Sequence, residues 1–436
     1  MLCTARKRAL HSSYTVHALV VLTLTSILVA CFVLIVAYEP SRYVYIPPPN
    51  DAHPYKVSVA HFETPGVVAS DPMTNHPTSA REPIQMSLFL PVPKADCAAE
   101  CEKLYMPVEI AWSAEQQFFG SRKDVFINMR NRYCCRSHKA IDASNFPLVF
   151  IEPQAGTSRF LYSTLAHYIS ANGLAVILID HRNVTYWNSF FDYPVWGNMS
   201  VGEDAKLPPG LLANQYAEMF RRGTDIFEIV TTLQEISLLR RHFPAFKFNT
   251  PLDTTHFGIV GHGIGGSVAT QMCAYFQRCP AAINLSGAAP TLPKPASCKD
   301  HVKAKGNIYF FGRSDYNRDT NVAWEAALEA WGDKATEYDL QDSGIYDVSD
   351  LPLITDLAIK NLSGDISFVH GTRDTLGPLG FHITACYVEA ILKNEFLQPG
   401  NYIEQCQSVF DQMKPHSVGN TTLCNSTSSL HQRRIG

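Results

Sequence analysis

From about residue 86 onward, short apolar runs alternate with longer amphipathic stretches, and that alternation sets the predicted architecture. Met86–Leu90, Leu148–Ile151, Leu174–Asp180, His256–Val260, Ala282–Leu285, Asn307–Phe311 and Glu337–Leu340 read as strands. Leu174–Asp180 is nearly all aliphatic, as a strand covered on both faces must be. Leu161–Ser170 has helical spacing. Asn214–Phe243 reads as one long helix, with Tyr216, Phe220, Ile226, Ile229, Val230 and Leu233 on one stripe. Strands alternating with helices predict an α/β fold: a mostly parallel central sheet with helices on both faces.

The ends of the chain break this pattern. Arg6, Lys7 and Arg8 precede an uncharged stretch, Ala18–Tyr38, rich in Leu, Val and Ile. That stretch is long enough to cross a hydrocarbon core of roughly 30 Å and longer than the h-region of a cleavable signal. Positive charge before it favours a cytosolic N-terminus. The expected plan is a cytosolic segment over 1–15, a transmembrane signal anchor over 16–38 and a single-pass type II topology. A cleaved signal is the alternative, and it delivers the rest of the chain to the same lumenal or extracellular side. Pro47, Pro48, Pro49, Pro54, Pro65, Pro72 and Pro77 then suggest a stalk over 39–84. The folded domain is expected over 85–400, with a polar tail over 401–436.

A net charge of -4 and the lack of a basic stripe give no sign of nucleic-acid binding. Cys97, Cys101, Cys134, Cys135, Cys273, Cys279, Cys298, Cys386, Cys406 and Cys424 lie beyond the apolar stretch, an even set compatible with disulfides in an oxidising compartment. Zinc on Cys97, Cys101, Cys134 and Cys135 is the alternative; the spacing is poor and no His pair accompanies it. Asn-x-Ser/Thr sequons at Asn183, Asn198, Asn361, Asn420 and Asn425 are glycosylation candidates on that side of a membrane. A sixth, Asn284, sits within a predicted strand and is expected to stay unmodified.

The most informative stretch is Phe257-Gly-Ile-Val-Gly-His-Gly-Ile-Gly-Gly266, where a predicted strand meets a predicted helix through glycines. In a nucleophile elbow, G-x-S-x-G, glycines two residues either side of the serine relieve crowding at a strained turn. Gly261 and Gly265 occupy those flanks and His262 precedes the centre, but the centre is Gly263. Gly261-x-Gly263-x-x-Gly266 also fits the dinucleotide pattern G-x-G-x-x-G, although such a unit normally opens its domain. A purely structural turn is the third reading.

The surrounding segments carry a resemblance. Leu148-Val-Phe-Ile-Glu-Pro-Gln-Ala-Gly-Thr-Ser-Arg-Phe-Leu-Tyr-Ser163, the strand ending Ile-Asp-His-Arg182, the Arg-Arg-Gly-Thr-Asp225 stretch and Phe310-Phe-Gly-Arg-Ser-Asp-Tyr316 together resemble the platelet-activating factor acetylhydrolase family. The resemblance runs diffusely from Met86 to Leu397. It implies an α/β-hydrolase fold, no cofactor, and a Ser-Asp-His esterase acting on short or oxidised acyl chains of phospholipids. Matched to that pattern, the nucleophile position is Gly263, the acid position Ser286, and the histidine position Ile345. The family's His-Gly-x-Gly oxyanion loop is replaced by Pro153-Gln154-Ala155-Gly156, leaving Ala155 and Ile264 as the oxyanion-region residues.

Acyl transfer through a covalent intermediate needs a nucleophile, a base and a group that orients the base. Glycine offers no nucleophile, and the expectation is a degenerate triad. Ser267, one helical turn on, is expected to serve packing. His370-Gly-Thr-Arg-Asp374 is similar to the acid-bearing loop of α/β hydrolases, and Asp374 would then orient His382 or His416. Three functions stay open: a degenerate relative that binds a lipid or protein, an active lipid esterase with a non-standard catalytic set, and a lumenal interaction module.

Overall fold

A computed structural model describes residues 23–26, 43–64, 83–181, 209–289, 304–362, 366 and 376–415, with the side chains of 209–217 and 322 excluded. The chain divides into two units, Met1–Tyr43 and Val44–Gly436. In the first, residues 23–26 are helical. Among the described residues no helix is long and apolar enough to cross a membrane. The rest of the expected anchor lies outside the described residues.

The second unit is built on a nine-stranded sheet. Its strands are β2 (Tyr55–Glu63), β3 (Gln85–Pro93), β7 (Leu148–Glu152), β8 (Ala175–Asp180), β10 (Phe257–His262), β11 (Ala281–Leu285), β12 (Asn307–Arg313), β13 (Ala335–Leu340) and β14 (Met413–Pro415). Their spatial order is β14-β13-β12-β11-β10-β7-β8-β3-β2. The pairings from β8 through β13 are parallel; β2, β3 and β14 join antiparallel. Away from this sheet, β1 (Val44–Tyr45) and β4 (Cys97–Leu104) flank β5 (Met129–Ser137), and β6 (Ile141–Asp142) pairs with β9 (Phe248–Thr250).

The helices that matter below are α1 (Ser163–Ala171), α2 (Pro209–Thr232), α3 (Ile264–Tyr275), α4 (Val322–Trp331), α5 (Leu351–Asn361), α6 (Pro378–Phe396) and α7 (Tyr402–Val409). Apolar clusters lie on both faces of the sheet. Val149, Ile151, Val176 and Leu178 point to one, and Leu148, Phe150, Ala175 and Ile177 to the other. This is the period-two alternation of strands covered on both faces, and every residue of β8 is buried.

Four expectations need correction. The stalk over 39–84 is not a stalk throughout: β2 pairs with β3 along its whole length, from Tyr55–Pro93 to Glu63–Gln85, and buries Val57, Val59 and Phe62. The tail over 401–436 begins as folded structure, because α7 is tied to α6 by the Cys386–Cys406 disulfide and β14 adds to β13. The long helix ends at Thr232, and a separate short helix spans Ile236–His242. Phe220, placed on its apolar stripe, is 80% exposed, whereas Ile226, Ile229, Val230 and Leu233 are buried.

Disulfides join Cys97 to Cys134, Cys101 to Cys135 and Cys273 to Cys279 as well, so the zinc alternative is set aside for those first four cysteines. Cys298 and Cys424 lie outside the described residues, as do Asn183, Asn198, Asn420 and Asn425. Asn361 is exposed at the end of α5. Asn284 is fully buried: its amide donates to Thr270 Oγ1 (2.8 Å) and its carbonyl accepts from Gly287 N–H (2.6 Å).

Burying Val57, Val59 and Phe62 is worth about 1.5–3 kcal/mol each, comparable in sum with the whole stability of an ordinary domain. A chain beginning at residue 85 is therefore expected to be insoluble or unfolded, while one beginning at residue 43 elutes as a folded species. Size-exclusion chromatography with far-UV circular dichroism checks this.

Candidate functional site

The sheet delivers Gly263 to a sharp corner. It sits between the end of β10 and the first residue of α3, with φ 54° and ψ -120°. Side-chain-bearing residues rarely adopt such a conformation, and it is the strained turn a nucleophile elbow requires. Its N–H donates to Leu285 O (2.9 Å), tying the corner to the end of β11. A Cβ at Gly261 would run into the backbone of Gly265, and one at Gly265 into the backbone of Glu152, so α3 packs directly onto the strands.

The space in front of Gly263 is taken. A Cβ built there would collide with the carboxamide of Gln154. Gln154 Oε1 accepts the N–H of Ile264 (3.1 Å), which is the donor that the residue after a nucleophile contributes to an oxyanion hole. Gln154 lies in the loop after β7, the loop expected to supply the second donor, and its neighbour Ala155 is half-buried there. Sequence reasoning placed Gln154 in the segment that replaces the oxyanion loop but singled out Ala155 and Ile264 there and gave Gln154 no role. Its only signal was its place two residues past the strand end, facing a corner with no side chain.

The loop is held from several sides. Tyr162 Oη accepts the Gln154 N–H (3.2 Å), and Thr157 donates to Gln154 O through its N–H (3.2 Å) and its hydroxyl (2.7 Å). Tyr162 Oη also meets His262 Nδ1 at 2.7 Å, linking the loop to the residue before Gly263. His262 is fully buried, and burial, with a smaller contribution from the Arg313 charge, pushes its pKa down to about 3. The ring is thus neutral at ordinary pH. Burial raises the pKa of Tyr162 well above the usual phenol range.

The other expected triad positions hold Ser286 and Ile345. Ser286 follows β11 with φ 58°, and its hydroxyl donates to Phe311 O (3.2 Å). Ile345 lies in the loop after β13 and affects His262 only through its main chain. Ser267 is buried in α3, and its hydroxyl donates to Gly263 O (3.5 Å). His382 is exposed near the start of α6, while Asp374 and His416 lie outside the described residues. A Ser–His contact does occur elsewhere, between Ser87 Oγ and His61 Nδ1 (2.8 Å). Ser87 is fully buried in β3, three strands from β10 and about 14 Å away by strand spacing, and it also accepts from Arg159 Nε (2.9 Å).

Below the loop, three of the resembling segments converge on buried ionic contacts. His181, just past β8, bonds Glu152 Oε2 of β7 (2.6 Å) through Nε2 and Asp225 Oδ2 of α2 (2.9 Å) through Nδ1. Burial opposes charge on His181, but Glu152 and Asp225 outweigh it and hold its pKa above the usual value. Arg222 reaches Glu152 (3.7 Å) and Glu218 (2.8 Å) and donates to Pro153 O (2.9 Å), fixing the start of the Gln154 loop. Arg159 pairs with Asp180. Among the described residues, no group of three or more His, Cys, Asp and Glu side chains is arranged to hold a metal ion.

No family model matches the chain. A curated relative, a probable 1-alkyl-2-acetylglycerophosphocholine esterase of Arthroderma benhamiae, is 24% identical over 213 residues. The match covers 48% of each chain, so this chain aligns with about half the length of that relative. A ferulic acid esterase from Streptomyces cinnamoneus superposes with a TM-score of 0.58 at 19% identity, covering 85% of this chain and 99% of that one.

Two outcomes are expected from this geometry. Tyr162→Phe removes the hydroxyl shared by Gln154 and His262 and should destabilise the fold by about 1–3 kcal/mol in urea titrations. An unfolded histidine titrates near 6.5 and the buried His262 near 3, so the unfolded chain takes up a proton that the folded chain does not. Stability should fall as pH is lowered through that window, and His262→Gln should flatten the dependence of the unfolding midpoint on pH between 6.5 and 4.

The resemblance read from the sequence is thus matched twice: the chain is similar over half its length to a 1-alkyl-2-acetylglycerophosphocholine esterase, and it shares the α/β-hydrolase fold of a solved esterase.

Proposed function

We propose that this chain is a membrane-anchored, catalytically impaired relative of the phospholipid and carboxylic ester hydrolases, retaining the fold to bind a lipid rather than to turn it over. One observation carries the reading: the elbow corner holds glycine, and a glutamine carboxamide fills the space in front of it. Acyl-enzyme chemistry starts with an oxygen or sulfur attacking the ester carbonyl, and no such atom stands at residue 263. The nearest histidine is neutral and committed to Tyr162, with neither a nucleophile to deprotonate nor a carboxylate to orient it.

The ligand class follows from the relatives. Both named proteins are esterases, and one is named for an acetylated glycerophosphocholine; a short-acyl phospholipid is therefore the ligand to test first. Anchoring follows from the uncharged stretch Ala18–Tyr38 with Arg6, Lys7 and Arg8 before it, which favours a single-pass type II protein with its domain in a lumenal or extracellular space. Disulfides at four places in the domain accord with an oxidising compartment.

The native protein is expected not to react with a fluorophosphonate serine-hydrolase probe and not to hydrolyse short-chain phospholipid esters. Stoichiometric labelling, or turnover above a heat-denatured control, overturns the reading and revives an active esterase with a non-standard catalytic set. Gly263→Ser alone should not restore hydrolysis, because Ser286 and Ile345 supply neither acid nor base; losing triad members costs several orders of magnitude in rate.

A further inference from the structure

We infer that Gln154 is a built-in plug of the elbow: its carboxamide takes the place of both a nucleophile side chain and a substrate carbonyl, so that a side chain at residue 263 requires the carboxamide to leave the Ile264 amide. The inference rests on reading Gly263 as the elbow residue, as above, but not on whether the domain turns over an ester.

Two independent contacts define the plug. The first is with the donor. The Ile264 N–H is one of the unpaired groups at the start of α3, and Gln154 Oε1 satisfies it at 3.1 Å. Only the carbonyl end of a carboxamide accepts from an N–H, so the group seated there is a planar C=O, the same group an ester would present. The second contact is steric. The carboxamide overlaps the position where a Cβ at residue 263 would stand. A serine at the corner and glutamine in its present pose exclude one another.

The backbone of the plug residue is fixed, not incidental. Gln154 N–H is taken by Tyr162 Oη, Gln154 O accepts twice from Thr157, and the preceding carbonyl of Pro153 accepts from buried Arg222. Tyr162 is in turn bonded to His262. In a working elbow a histidine beside the nucleophile and the loop facing it leave room for substrate. Here the same elements hold a side chain across the gap, so a carbonyl ligand must displace the Gln154 carboxamide to reach the Ile264 amide.

The test is a pair of double-mutant cycles on the full-length chain in detergent, read as unfolding midpoints in urea. In the first, Gly263→Ser is made with and without Gln154→Ala. The serine should lower the midpoint strongly with Gln154 present and much less in the double variant, a coupling of about tenfold in the folding equilibrium constant. If the losses simply add, or if Gly263→Ser is as stable as the native chain, the inference fails. The second cycle leaves the glycine alone, in case the serine variant does not fold. Ile264→Pro removes the donor at the first helical position, where proline is tolerated. Gln154→Ala should then cost little further stability in the Ile264→Pro chain, although it is destabilising alone; an undiminished cost also overturns the inference. Neither cycle reads activity, so ester turnover by the native protein would end the proposed function and leave the plug standing, whereas additive losses would do the reverse.

Discussion

The turn at residue 263 constrains everything at this edge of the sheet. A strand that passes at once into a helix must reverse its hydrogen bonding within one residue, and the positive φ that allows this excludes most side chains on energetic grounds. Hydrolases accept that strain to push a serine into the open. Here the strained bend is kept without the side chain it ordinarily serves. The helix it starts packs so closely on β7 and β10 that Gly261 and Gly265 have no room for a methyl group. The bend is thus held by the packing around it.

Next to that turn, the polar residues behave as a scaffold. Glu152, His181, Asp225 and Arg222 come from three separate segments and meet in a buried cluster. Removing one partner from such a cluster strands the others without water, which is costly. The cluster ties the start of the loop after β7 through Arg222 and Glu152, a demand of folding whatever the site does.

The sheet was legible because its strands are short, apolar and bounded. The strands expected from Met86 to Leu340 all appear, most within two residues of their bounds. The corner was legible too, because glycines spaced two apart between an apolar run and a helical one mark a turn too crowded for side chains. β2 was missed because prolines on both sides coloured the whole region. Yet Tyr55–Glu63 itself contains no proline and places Val57 and Val59 on one face and Ala60 and Phe62 on the other, a strand signal in a narrower window. The break after Thr232 has no glycine or proline to announce it. The role of Gln154 was harder to read than its place: its position matters only because of what residue 263 lacks, and that dependence crosses the fold rather than the sequence.

The two outermost strands of the sheet, β2 and β14, come from opposite ends of the described domain. Each covers a neighbour whose outward N–H and C=O groups would otherwise invite a foreign strand. During synthesis β13 therefore waits for its cover until some seventy further residues have been made, counted from Leu340 to Met413. A nascent chain at that stage is open on one flank, the condition that most favours misassembly with a neighbouring polypeptide. The Cys386–Cys406 link then fastens the segment leading into β14. A premature stop within that interval would do more harm than its length suggests, producing a nearly complete domain with a sticky seam.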